Sequence, residues 1–307
     1  MRAAKIKSLA FALACAALAS CSHGPAAGPK IDPALALVIP ADTTLLVGTR
    51  LEDIEKTDVY KKHLGGRSIP QIDAFAKQTQ IDPRKELWEL LYVSNGKQGA
   101  LLGRGKFADD GEPRIPKGGL GRFAYKGYNF VGDDRTAVLL LSPTAVGYGD
   151  TAELRAMIDA KEKSVGPAPA MAELLKGIPS SSQIWAAYRG GPVELPFNTK
   201  GDPTGNLANA ARVLSLIQTG TFYFDFSMGV KGLGTGSGNN EQDAEDLEGA
   251  LKALVGFGRL ATSPKQPELQ RLWNGLMVTR DARVVKLHID EPEELVDGAL
   301  DLLLGKK

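Results

Sequence analysis

Three histidines and one run of alternating glycines are the residues here whose type and spacing could carry chemistry. His23 lies in a stretch of Ser, Gly, Pro and Ala. His63 falls near the C-terminal end of a predicted helix, where an imidazole suits the helix dipole. His288 alternates with Val285, Leu287 and Ile289 on a predicted strand, so it projects from the other face with Lys286 and Asp290. A Ser-His-Asp site built on His288 and Asp290 needs a serine on a nucleophile elbow, and the chain has no G-x-S-x-G. No His/Cys cluster has zinc spacing and no D-x-D-x-D-G run suggests calcium, so the acidic stretch Glu241 to Glu248 reads as a solvated helix start. Gly232-Leu233-Gly234-Thr235-Gly236-Ser237-Gly238 follows a strand and precedes a helix, the context of a phosphate loop. It matches neither G-x-G-x-x-G nor Gly-Lys-Ser/Thr. The helix behind it opens with Asp243, Glu245 and Asp246, which occupy the positive end of the dipole and repel an anion. Alternating glycines instead let a helix or a ligand approach a sheet closely. No catalytic set, metal site or cofactor is predicted.

The N-terminus carries a different chemistry. Arg2, Lys5 and Lys7 form a positive region without acids, Leu9 to Leu18 an apolar one, and small residues then lead to a cysteine. Leu18-Ala19-Ser20-Cys21 resembles the lipobox of bacterial lipoproteins. The resemblance implies a diacylglyceryl thioether on Cys21, cleavage before it and acylation of the new amine. One acyl chain binds a membrane reversibly, whereas two or three hold it. Ser22 rather than Asp follows the cysteine, which in Gram-negative lipoproteins implies sorting to the outer membrane, facing the periplasm.

Cleavage would remove three cations and no acid from 37 Lys+Arg and 36 Asp+Glu, leaving 34 against 36 and a net charge of about −2. That balance argues against nucleic acid as a partner. The two cysteines are Cys15, in the signal, and Cys21, so no disulfide is expected. A basic loop from Arg104 to Lys126 sets Arg104, Lys106, Arg114, Lys117, Arg122 and Lys126 against Asp109, Asp110 and Glu112, and reads as solvated.

The pattern predicts an α+β fold: a signal over 1–20, a flexible tether over 21–34, and two related units over 35–177 and 178–307. Each unit has meandering antiparallel strands with helices on one face. In the first, a strand over Thr43–Leu51, helices over Asp53–His63, Gln71–Gln80 and Arg84–Leu90, and a hairpin about Asn95-Gly96 are predicted. Thr144 to Asp150 is similar to a potassium-channel filter sequence, but without membrane helices it reads as a strand end with Asp150 or Thr151 capping the next helix. In the second unit, Leu207–Gln218 is a predicted helix. Phe222, Phe224, Phe226 and Met228 share one strand face, and Leu247, Leu251 and Leu254 form one helix stripe. Ile39 to Arg50 aligns with Ile178 to Arg189, and Leu87 to Ser94 with Leu272 to Thr279, which predicts equivalent places for Trp88 and Trp273.

Pro40-Ala41-Asp42-Thr43, running into an apolar strand, resembles the opening of a family of uncharacterised bacterial exported proteins known as a domain of unknown function. The resemblance spans about residues 35–304 and implies strands with packed helices, but no catalytic residues. The function expected is a lipid-anchored envelope protein, a non-catalytic binding or scaffolding module whose partners are the membrane and an envelope protein or small ligand. The alternatives are an exported hydrolase-like enzyme and a carrier of a small apolar ligand that uses the Phe222–Phe226 face. Cys21→Ser is expected to leave an uncleaved precursor or a soluble exported form. Mass spectrometry of the N-terminal peptide checks it, and an unmodified Cys21 in mature wild-type protein refutes it.

Overall fold

The computed structural model describes residues 28–79, 82–109, 112–113, 121–190 and 215–304. Cys21, most of the tether, Arg114 and Lys117, and the predicted helix up to residue 214 lie outside the described residues. The fold is α+β, built on one antiparallel sheet of twelve strands. Helix α1 (Pro33–Ala36) leads to β1 (Leu45–Arg50) and the one-turn helix α2 (Leu51–Ile54), followed by a π-helical turn (Tyr60–Leu64). Next come α3 (Pro70–Thr79), α4 (Pro83–Glu86), β2 (Leu87–Ser94) and β3 (Gly99–Gly105). A separate small ribbon, β4 (Ala108–Asp109) and β5 (Glu112–Pro113), precedes β6 (Arg122–Tyr125), β7 (Tyr128–Gly132), β8 (Thr136–Ser142) and β9 (Ala145–Asp150). Helices α5 (Thr151–Lys163) and α6 (Pro169–Lys176) connect to β10 (Ile184–Tyr188). The chain ends with β11 (Ile217–Asp225), β12 (Val230–Gly238), α7 (Glu241–Ala261), α8 (Pro267–Gly275), β13 (Met277–Asp281), β14 (Val284–Glu291) and α9 (Glu293–Leu304). Among the described residues, no helix is long and apolar enough to cross a membrane.

The strands lie in the order β13-β14-β12-β11-β10-β1-β2-β3-β9-β8-β7-β6. At the middle, β1 pairs with β10 and sets Val47 opposite Ala186. Those two residues are also equivalent in the alignment of Ile39–Arg50 with Ile178–Arg189, so a local two-fold axis passes through the pair. Outward from it, β1-β2-β3-β9-β8 matches β10-β11-β12-β14-β13. The register follows the same symmetry. Gly99, Gly103 and Gly105 on β3 fall where Gly232, Gly236 and Gly238 stand on β12. The bulge between Leu87 and Glu89 falls where that between Ile217 and Thr219 does.

The second aligned block is overturned. Leu87–Ser94 is strand β2, whereas Leu272–Gly275 is the end of helix α8 and Met277–Thr279 lies on the edge strand β13. By topology the counterpart of β2 is β11. Trp88 lies on a strand with the Arg104 guanidinium 5.5 Å from its ring, while Trp273 presses against Gly258 of α7. Both indoles are half-buried, in unrelated places.

Four local expectations also change. The predicted helix at Arg84–Leu90 stops after one turn, begun by the Asp82 cap and Pro83. Leu87, Glu89, Leu91 and Val93 are then buried in alternation, so pairing with both neighbouring strands overrides helix propensity. Asp53–His63 is broken into α2 and the π-helical turn. Strand β11 begins at Ile217, inside the predicted helix, and ends at Asp225, leaving Met228 exposed in the following turn. On α7, Leu247 is buried but Leu254 is 58% exposed, and Phe257 and Leu260 are also exposed.

The core lies on the face of the sheet that carries Leu46, Leu91, Leu102, Leu139 and Trp185, against α5 and α6 (Leu154, Met157, Ile158 and Met171). Helix α7 sits on the opposite face, with Ala244 and Leu247 over Val285. Helix α7 thus lies on the face opposite α5 and α6, while α6 also covers β10 and β11 of the second half on the core face. At the centre, the buried Trp185 indole lies over Gly48, where an added Cβ would come within 2.2 Å of the ring. Gly48→Ala is expected to lower stability by about 1–3 kcal/mol or more by overpacking. Urea unfolding checks this, and a change under about 0.5 kcal/mol, the usual effect of a surface substitution, contradicts it.

Candidate functional site

The symmetry shows where the halves differ. On the face away from the main core, the first half carries Leu90 and Leu101, and Phe107 folds back to within 3.3 Å of where a Cβ on Gly103 would stand. The positions matching Leu90 and Leu101 in the second half are Gly220 and Gly234. Two leucine side chains are therefore missing from the sheet surface under α7. A cavity of about 230 Å³ stands there, bounded by Ile217, Phe222, Leu247, Leu251, Val285 and Leu287, with Tyr188 at its side. Among the described residues, no charged side chain lines it. Burial pushes the Tyr188 phenol up, so it stays neutral at any physiological pH. The glycine run that suggested close approach has two uses here. Gly236 and Gly238 admit α7, with Leu247 and the backbone of Ala244 against them, while Gly234 leaves open space. The Phe222 and Phe224 rings meet edge to face at 4.7 Å beside it. Apart from the Tyr188 phenol and the Thr221 and Thr235 residues, the described lining is apolar side chains and glycine.

A second, polar cleft of about 290 Å³ lies on the other face, between Arg50, Glu52, Trp88, Glu89, Arg104 and Asp32. The pairing of β1, β2 and β3 puts Glu89 directly between Arg50 and Arg104. Burial pushes the Glu89 carboxyl up, against the pull of the Asp32 amide and of the two guanidinium groups. Both Glu89 oxygens accept that amide at 3.2 Å, and Arg104 Nε meets Asp32 Oδ2 at 3.0 Å. This cluster ties the segment that opens α1 to β1, β2 and β3.

The histidines do not converge. His63 is buried, with Nε2 2.7 Å from Asp297 Oδ1 and Nδ1 3.4 Å from Asp301 Oδ1. Lys62 takes the other Asp297 oxygen. These groups tie the π-helical turn to α9 across the whole sequence, a contact that local helix-end reasoning could not foresee. Burial alone would raise the Asp297 carboxyl, but Lys62 and His63 outweigh it and hold it low. His288 projects away from α7, as its strand phase predicted, and its Nδ1 is buried without a hydrogen-bond partner among the described residues. The basic loop is not one patch: Arg104 pairs with Asp32, and Lys126 with Asp159 and Glu162. Among the described residues, no group of His, Cys, Asp or Glu is placed to hold a metal ion. Asp150 precedes α5 without capping it, because its carboxylate accepts the Gly99 amide instead.

No protein-family model matches the chain. No curated protein matches it. Crystal forms I, III and IV of TP0453, a bacterial (Treponema) protein, are similar to it with TM-scores of 0.47, 0.48 and 0.41 at 9%, 9% and 8% identity. These alignments cover 90%, 89% and 90% of this chain and 99%, 99% and 98% of the other. A likeness at this level transfers neither a site nor an activity.

Asp297→Ala is expected to lower stability by about 1–3 kcal/mol, the range for hydrogen bonds to charged groups. Because the folded carboxyl is held below its unfolded value, its contribution is present at neutral pH and lost as pH falls through the acid range. The variant should therefore lose less stability than wild type between about pH 5 and 3. Urea titrations at both pH values decide, and parallel losses would remove Asp297 from the account.

Proposed function

We propose that this protein is a non-catalytic binding module of the cell envelope, anchored by lipid at Cys21, whose ligand seat is the apolar cavity under α7. The anchor rests on Leu18-Ala19-Ser20-Cys21 and the basic and apolar stretches before it. The binding reading rests above all on one observation. Two leucines of one half are replaced by glycines in the matching half; Ile217 closes over Gly220, but over Gly234 the nearest atoms stand back at 3.8 Å, beside the cavity. Interiors are close-packed, so a cavity lined by apolar groups is a place where an apolar ligand gains about 25 cal/mol for each Å² removed from water. The absence of charged side chains from the lining among the described residues favours a neutral aliphatic group.

Gly234 offers a clean test. A Cβ there would meet its nearest neighbours, Leu287 and Phe222, at 3.8 Å, an ordinary contact. Gly234→Val is expected to fold, to match or exceed wild-type stability, and to weaken binding of n-octanol at least tenfold by calorimetry. Octylammonium should bind wild type far more weakly than octanol. The reading falls if wild type takes up no octanol, or if the valine variant binds it as well as wild type does.

A further inference from the structure

Three carboxylates from separate elements gather around one turn. Asn95 Nδ2 lies 3.3 Å from Asp42 Oδ2 and 3.2 Å from Glu153 Oε2, so a single amide serves two acids. The third, Asp150, accepts the Gly99 amide at 2.8 Å. Asp42 belongs to the turn before β1, Asn95 to the β2–β3 turn, Asp150 to the end of β9 and Glu153 to the first turn of α5. Glu153 is only 1% exposed, and its Oε1 has no hydrogen-bond partner among the described residues.

A buried ionised carboxylate with an orphaned oxygen is heavily penalised, whereas a neutral carboxyl tolerates that place and can donate a hydrogen bond. Among the described residues, no cation is paired with Glu153. The groups acting on Glu153 are Asp42 and Asp150, both acids. Lys97, in the same hairpin turn, makes no ion pair with it among the described residues. Arg189 is committed to the Thr43 and Ala41 carbonyls. Asp133 and Arg135, from the β7–β8 turn, meet the start of α5 at Thr151 through their backbone carbonyls.

We propose that Glu153 is a proton-binding latch: with its proton it closes the turn before β1, the β2–β3 turn and the start of α5 on one another, and without it the three carboxylates push them apart. Desolvation, reinforced by Asp42 and Asp150, pushes the carboxyl up to about 7, so the latch works across neutrality. The folded state holds the proton more tightly than the unfolded chain does. Stability is therefore fully present below the unfolded value, falls as pH rises through about 5 to 7, and levels off above.

The test uses the full chain, with urea unfolding between pH 5 and 8.5 and Cδ chemical shifts of ¹³C-labelled glutamate. In wild type the unfolding constant is expected to rise by up to about tenfold per pH unit between pH 5 and 7, the limit for one proton. Glu153→Gln should match wild type at pH 5, exceed it at pH 8, and lose that slope. Asp42→Asn should shift the Glu153 midpoint downward. Amide exchange at Gly96–Gly99, corrected for intrinsic rates, should quicken with pH in wild type and not in Glu153→Gln. A Glu153 midpoint below about pH 5.5, close to the ordinary carboxyl range, or an unchanged slope in Glu153→Gln overturns the proposal.

Discussion

Every strand of the sheet takes its register, directly or through neighbours, from the pairing of β1 with β10. Gly48 and Trp185 face each other across that pair, as do Leu46 and Ala187. Each couple joins a bulky side chain to a small one. The symmetry maps Leu46 onto Trp185 and Gly48 onto Ala187, so the two couples are the same device used twice. The indole needs the space over Gly48, and no larger residue fits there. A shift of one residue would turn every side chain of β1 to the other face and separate the couples. The main core, from Val93 and Leu102 outward to Leu139, is laid down on this register.

The halves share a frame but fill it differently. Between β3 and β8 the first half inserts the strands β4 to β7, whereas between β12 and β13 the second inserts helices α7 and α8. That substitution sends α7 to the face opposite α5 and α6, and it covers a strand pair bared by glycine. The cavity and the exposed end of α7 both belong to this helix-covered face.

Much of this was legible in the sequence, and the failures have physical causes. Strand and helix locations followed from period and punctuation, as at β1 and α3. The Asn95-Gly96 turn was readable because Asn95 supplies its own closure, accepting the Lys97 and Gln98 amides. The β1–β10 equivalence was visible because both strands open from a like turn. Its continuation was misplaced, because Leu-Trp at a helix–strand junction recurs for local reasons. The glycines shared by β3 and β12, spaced alike but amid unlike neighbours, were the better signal. The cavity was half seen, as a bare sheet beside Phe222. The His63–Asp297 tie and the orphaned Glu153 were not, since both join residues far apart in sequence and depend on burial.

A two-fold axis that crosses a single pair of strands has a consequence for ancestry. Val47 opposite Ala186 is the arrangement in which one surface meets a copy of itself, the geometry of an isologous dimer. A chain with only one of the two halves would present β1 as an open edge able to pair with its twin in this same register. In the single chain β10 takes the place of that twin, so neither half has to serve as both partners, and the leucines of one half can stand where the other has glycines.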